Sequence, residues 1–442
     1  MIPPVSSTQA DLAIDTLAIE WLKAARGAMI KFLARGENLV ARRSLPIALL
    51  LITGCALAQG PALTTLYTFG ETVDLSGVVT GPGGVLYGTQ WVDGVAYSLT
   101  PPASPGGAWT ENNLFSPLAG PSGLVVGQDG VLYGTTQQGG SPCGCGTVFE
   151  LRPPASPGGS WVHRVLHSFT NASDGEHPEK GVAIGAGGIL YGTSHGGAGD
   201  AGTVFSLQPP ASPGGQWVFT TLHAFDYGSE GAGPGGLTIA PDGVLIGATS
   251  GGAAGYGTAF SLAPPGSPGD AWIFTKLYTF TGGASGTTPS NLVIDKGGVL
   301  YGSMFAGGNP SCVYDFSSGC GTVYSLTPPT PGGDWVFTTL YTFTGGTDGA
   351  LPAGVIVTPK GDLIGTVEVG GASTFYGAVF SLAPPASSGG SWAMTTLWSF
   401  TTSGGENPET GVVFGAGGAL YGTTAQLPSC GGCGMVFSLT LR

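Results

Sequence analysis

Charge is scarce in this sequence. Asp, Glu, Lys and Arg together make up 9% of 442 residues, and histidine occurs five times. Most of the basic charge lies at the start: Lys23, Arg26, Lys31, Arg35, Arg42 and Arg43 precede residue 44. Beyond residue 54, seven basic residues stand against 22 acidic ones, a net of −15. A body that acidic is repelled by a phosphate backbone, and no basic patch with interleaved aromatics occurs, so no nucleic-acid partner is expected. Long apolar runs are missing as well, which excludes a helical membrane span. No serine sits in a GxSxG elbow, and the glycine-rich turns lack the lysine and following helix of a phosphate loop.

Glycine and proline are abundant instead, at 82 and 34 residues, with aromatics at 10%. A disordered polymer would be rich in charge and poor in aromatics, so this composition points to a turn-rich, well-packed all-β protein.

The first residues read as an address. Arg42 and Arg43 precede "LPIALLLITG" and then Cys55 and "ALAQG". The run of about ten residues is too short to span a bilayer and fits the apolar region of a signal peptide. "ITGC" resembles the bacterial lipoprotein signal, in which the cysteine is acylated, so Cys55 is the expected lipid acceptor. "ALA" from Ala56 to Ala58 is the rival cleavage site of a freely secreted form. Residues 1–58 are therefore read as leader and signal peptide, with Met29 as a possible true start. The chain stops at Arg442 without an apolar tail, which leaves a lipid on Cys55 as the expected route to a membrane.

From residue 61 to 442 one unit recurs. "LYGT" or a close relative begins at Leu86, Leu132, Leu190, Leu245, Leu300, Leu363 and Leu420, spaced by 46 to 63 residues. Each is followed by a "VFSL"-like landmark, as at Val148 and Val204, and an "LYTF"-like one, as at Leu166 and Leu222, also occurs seven times, from Leu66 to Leu397. Each unit resolves into four short β pieces, a to d. Asp-Gly and Gly-Gly between apolar runs supply the positive φ of tight hairpins. "PPASPGG" separates c from d, and its prolines cannot donate to a ladder, so it is a spacer outside the sheet. Four strands repeated seven times predict a seven-bladed β-propeller. The repeats open on a d strand, "TTLYTF" from Thr64, and close on a c strand, "MVFSLTLR", so the first strand is expected to complete the last blade and bury both end edges. An open β-solenoid is the structural rival.

Units of the form "GLVVGQDGVLYGTTQQGG…GCGTVFELRPP…W…LHSF" resemble the GloVer tandem repeat of bacterial surface proteins described as choice-of-anchor. The resemblance implies a propeller-like fold and a place in the cell envelope, with no assigned biochemical activity. A weaker similarity to kelch repeats, in the Gly-Gly pair after strand b and the aromatic of strand c, implies the same architecture.

In such a ring the d-to-a and b-to-c loops share one face. Carboxylates gather there, among them Asp74, Asp348, Glu406 and Glu409, and the densest set falls on the third unit: Asp174, Glu176, His177 and Glu179 lead into it, and His195 and Asp200 lie in its b-to-c loop. Two histidines among carboxylates suit acid and base roles or a divalent cation; Asp-Gly loops are also ordinary turn chemistry. His177, His195, Glu176 and Glu179 are the catalytic candidates, and Asp174 and Asp200 binding candidates. Trp91 and Phe305, outside the repeated aromatic positions, are candidates for stacking on carbohydrate. His167 and His223 stand where other units have Tyr or Trp and read as packing variants. The opposite face, mostly spacers and tight turns, carries no expected function. No cofactor is expected beyond that cation, and a monomer is expected.

Six of the seven cysteines form local pairs in b-to-c loops: Cys143 with Cys145, Cys312 with Cys320, Cys430 with Cys433. Export makes these disulfide staples. A shared zinc site is the rival, but needs thiolates from different blades within about 2.3 Å of one ion. Two extended residues span nearly 7 Å between α-carbons, so Cys143–Cys145 is expected to be the most strained and most easily reduced bridge. These features suggest an exported envelope propeller that binds carbohydrate, peptide or an envelope protein; the alternative is a metal-dependent lyase or glycan-active hydrolase on the third unit.

Overall fold

The computed structural model describes residues 60–442, apart from positions 73, 105, 157, 213, 253–254, 268, 315–316, 331–332, 372–375, 388, 402–404, 426–432 and 442. The expected leader, Met29 and Cys55 lie outside the described residues, as does Cys430.

Apolar side chains alternating along short runs, broken by glycine turns, fold each repeat into an antiparallel sheet. In the third blade the strands are Val182–Ile184, Leu190–Ser194, Thr203–Gln208 and Val218–Ala224, paired in chain order. Seven such sheets follow one another, making a seven-bladed β-propeller. The a-to-b turns place Asp129 and Gly187 at φ 54° and 70°, the left-handed region where Gly and Asp cost least. Among the described residues there is no α-helix, and no helix is long and apolar enough to cross a membrane.

The ring closes as its end strands require. Ala62–Thr72 pairs antiparallel with Cys433–Thr440, Ala62 opposite Thr440 and Thr65 opposite Phe437, and becomes the fourth strand of the last blade. Both chain ends thereby lose an exposed sheet edge.

Three repeated contacts hold blade to blade, and each explains one letter of the landmarks. The aromatic of strand c is buried beneath the last Phe of the preceding blade's strand d: Phe205 meets Phe169 edge-on at 5.3 Å, Phe260 meets Phe225 at 5.1 Å and Tyr324 meets Phe280 at 5.4 Å. The glycine of "LYGT" makes room for that ring. A Cβ on Gly192 would lie 2.5 Å from Phe205, and one on Gly422 would lie as close to Phe437. The tyrosine of "LYGT" reaches the Trp opening strand d of the next blade, Tyr133 to Trp217 at 5.8 Å and Tyr191 to Trp272 at 5.7 Å. The threonine donates to a carbonyl at the next blade's inner strand, Thr135 to Pro178 at 2.6 Å and Thr193 to Gly235 at 3.0 Å. Tyrosine, strand-c aromatic and tryptophan are thus packing residues.

Candidate functional site on the loop face

The d-to-a loop entering the third blade is clamped between two neighbours. Glu176 exchanges two backbone hydrogen bonds of 2.7 Å with His195, and the amide of His177 donates to the Cys145 carbonyl at 2.7 Å. His177 takes φ 46°, a left-handed conformation held by that clamp. Its Nδ1 lies 2.6 Å from the Gln137 carbonyl, which can only accept, so Nδ1 carries a hydrogen. Nε2 sits 3.6 Å from Glu176 Oε2, and His195 Nε2 sits 3.4 Å from Glu179 Oε2. The His195 imidazole holds the Glu179 carboxyl below the usual carboxylate range, with Lys180 and His177 adding to it. The four catalytic candidates therefore do converge, as two partly exposed histidine–carboxylate pairs on adjacent loops.

The two binding candidates of this unit do not join them. Asp174 turns inward and is only 8% exposed. Its carboxylate accepts from the Thr170 amide at 3.0 Å, the Thr170 hydroxyl at 2.6 Å, the Ala172 amide at 3.2 Å and His167 Nε2 at 3.1 Å. Asp348 repeats the arrangement on Thr344 and Tyr341, so the Thr-x-x-x-Asp pattern is a loop cap. His167 and His223 stack on Phe219 and Phe274 at 3.9 and 4.3 Å, in the packing role of an aromatic position. Asp200 is exposed at φ 56°, and its side chain has no hydrogen-bond or ion-pair partner among the described residues. Among those residues no group of three or more His, Cys, Asp or Glu is placed to hold a metal ion.

A cavity of about 830 Å³ opens on the same face between the fourth and fifth blades. Tyr256 of one b-to-c loop and Phe305, near the end of strand b in the next blade, form its aromatic walls, with Gly283, Thr287, Gly307 and Ser318 around them. The wall that carries Phe305 is braced: Cys312 and Cys320 are bridged, Gly307 donates to Ser318 at 2.8 Å and Gly319 to Cys312 at 2.7 Å. Cys143 and Cys145 are bridged as well, and Cys433 is disulfide-bonded. The first pair is not stretched as two extended residues would be: Gly144 at φ 75° folds the segment and brings the α-carbons to 5.2 Å, inside the ordinary disulfide range. Trp91 belongs to the first blade, against Gly120, and shares no site with Phe305.

One repeat position gathers these residues. The sixth residue of each "LYGT" segment, at the loop-face end of strand b, is Trp91, Gln137, His195, Ser250, Phe305, Glu368 and Ala425 around the ring, while the first four positions scarcely vary. Glu368 escapes attention in the sequence because it reads as one more strand residue in "LIGTVEV"; the column is the signal that finds it. Burial, then the Glu409 carboxylate, pushes Glu368 up to about 8, and burial followed by Asp74 raises Glu409 in turn. A carboxyl raised above its unfolded value binds more protons folded than unfolded, so its contribution falls as pH rises from about 4.5 to 8. A tenfold difference in proton affinity between folded and unfolded chains is worth about 1.4 kcal/mol. The difference in stability between the protein and Glu368→Gln is therefore expected to move by a few kcal/mol in favour of the variant between pH 5 and pH 9. Urea midpoints at the two pH values check this, and a difference that does not change with pH refutes it.

Comparison with known proteins places this geometry among propellers. A family model described as the Gloeobacter/Verrucomicrobia repeat matches residues 74–316. No curated protein matches the chain. Among solved structures, a streptogramin B lyase is 14% identical with a TM-score of 0.52, over 87% of this chain and 98% of its own. A catalytically inactive virginiamycin B lyase from Staphylococcus aureus, crystallised with quinupristin, is 14% identical with a TM-score of 0.54, over 86% of this chain and 100% of its own. The extracellular domain of a one-component system from B. thetaiotaomicron is 10% identical with a TM-score of 0.51, over 85% of this chain and 40% of its own. At these identities the likeness is one of fold.

Proposed function

The chain belongs to the Gloeobacter/Verrucomicrobia repeat family, and from that membership we propose an exported recognition propeller whose loop face binds a neutral carbohydrate. The observation that carries the reading is the cavity of about 830 Å³ walled by Tyr256 and Phe305. Its size is that of a small-ligand site, and its rim carries the hydroxyls of Thr287, Thr288 and Ser318, which can pair with those of a sugar. Two aromatic faces suit the C–H faces of pyranose rings. Among the described residues no charged one lines the cavity, which suits a neutral ligand. Repeats that keep their packing residues and vary one loop-face position separate scaffold from recognition, as rigid binding folds do. The signal sequence and Cys55 support an envelope location.

A second reading, a lyase or hydrolase, has one observation in its favour: the pairing of His195 with Glu179 beside His177, on a fold that known lyases share. A screen of neutral oligosaccharides against the full chain tests both. Binding is expected, weakened about tenfold or more by Tyr256→Ala, whose exposed ring can go with the melting temperature kept, and by Phe305→Ala, which also removes a ring packed on the core and lowers the melting temperature. Loss of a bound sugar over time that stops in His195→Ala would favour the enzyme, and no binding at millimolar sugar would sink the recognition reading.

A further inference from the structure

The face opposite the loops carries a second cavity, of about 530 Å³, spanning three consecutive blades. Ile294, Val357 and Phe414 line it from the inner strands of the fifth, sixth and seventh blades, and Lys296 and Lys360 line it from the a-to-b turns of the fifth and sixth. Beyond residue 54 the chain has seven basic residues, so two of the seven stand at one cavity of an acidic protein.

The repeats show how unusual this is. From first to seventh blade, the two central residues of the a-to-b turn read Pro-Gly, Gln-Asp, Ala-Gly, Pro-Asp, Lys-Gly, Pro-Lys and Ala-Gly. Lysine enters in two adjacent blades and nowhere else. The inner-strand residue paired with the "LYGT" leucine is Thr80, Val126, Ile184, Ile239, Ile294, Val357 and Phe414, so the aromatic also occurs once, on the next blade along. Phe414 is 38% exposed, which leaves its ring available.

The one acid at the cavity is engaged elsewhere. Asp295 accepts from the Gly297 amide at 2.8 Å, the Val299 amide at 3.0 Å and the Tyr301 hydroxyl at 3.2 Å, inside its own hairpin. Among the described residues neither Lys296 nor Lys360 has an ion-pair partner within 4.0 Å. Two ammonium groups against one carboxylate, whose oxygens are turned to their own hairpin, leave a net positive charge over an apolar floor, which suits a ligand with a compact negative charge and a hydrocarbon face.

We propose that this cavity binds a carboxylated sugar unit, its carboxylate between Lys296 and Lys360 and its ring against Phe414. The site is separate from the neutral-sugar cavity and stands or falls independently of it. Titration calorimetry on the full chain with the 1,4-linked disaccharide of galacturonate tests it, with the neutral galactose disaccharide and inorganic phosphate as controls. The acidic disaccharide is expected to bind and the neutral one not. Lys296→Gln with Lys360→Gln should weaken binding about tenfold or more, and so should raising salt from about 20 to 500 mM, because exposed charges are screened. Phe414→Ala should weaken the sugar but not phosphate, and Tyr256→Ala should change nothing. Binding of both disaccharides alike, no binding of the acidic one, or insensitivity to the lysine changes would overturn the proposal. Phosphate binding as tightly as the sugar, with Phe414→Ala harmless, would reduce the site to a simple anion seat and overturn it too.

Discussion

A chain that begins at Leu75, without the strand Ala62–Thr72, is expected to lose most of its stability and to aggregate. The strand is the outer quarter of the last blade, paired along its length with Cys433–Thr440. It also brings Phe69, 5% exposed, edge-on to Tyr97 of the first blade at 4.9 Å. Removing one buried aromatic of this kind costs about 3–5 kcal/mol. Removing the strand adds a full ladder of lost backbone hydrogen bonds and opens the seam between the first and last blades. Against a total of about 5–15 kcal/mol for an ordinary domain, little is left. The exposed edge of Cys433–Thr440 then offers itself to other chains. Thermal unfolding and size-exclusion chromatography measure both effects. A truncated protein that stays monomeric and melts within a few degrees of the intact one would show that the ring does not depend on this closure.

Phe205→Ala is expected to destabilise the propeller by about 3–5 kcal/mol, and Gly192→Ala by about 1–3 kcal/mol, for opposite reasons at one spot. Phe205 is fully buried, edge-on to Phe169 at 5.3 Å and stacked with Phe219 at 5.3 Å, so its removal leaves a ring-sized hole between two blades. A methyl on Gly192 would stand 2.5 Å from the Phe205 ring, and backbone and ring must part. The two changes are coupled, since in the double variant the new methyl points into the space the ring has left. Its cost should fall below the sum of the singles by about 1 kcal/mol or more, within the range seen for residues in contact. Chemical denaturation of the three variants supplies the cycle, and strict additivity would show that the glycine is kept for some other reason.

The landmarks of this fold are legible because each is a local pattern with a repeated tertiary purpose. The period of the apolar residues marks strands, Asp-Gly and Gly-Gly mark hairpins, and a d strand at one end facing a c strand at the other marks the closure. Even in "LYGT" the Tyr and the Thr decode into contacts with the neighbouring blade, and the Gly into room for the ring of strand c. Paired cysteines two and eight residues apart are likewise local, and the bridges Cys143–Cys145 and Cys312–Cys320 form where the spacing places them.

The chemistry of the faces is different, because it depends on which loops meet. Asp174 and Glu179 lie five residues apart in one acidic loop, yet the first is buried as a cap and the second stands beside His195; only the path of the backbone separates them. Glu368 is raised by its burial and then by Glu409 from another blade, and Tyr256 and Phe305 wall one cavity from two. Lys296 and Lys360 are 64 positions apart and become neighbours because their blades are. Sequence alone thus determined the number of blades, their strands, the closure and the staples, since alternation, turn residues and cysteine spacing act within a single repeat. Tertiary structure alone decided which charged and aromatic side chains share a site, since burial and Coulomb interaction act across the gap between repeats.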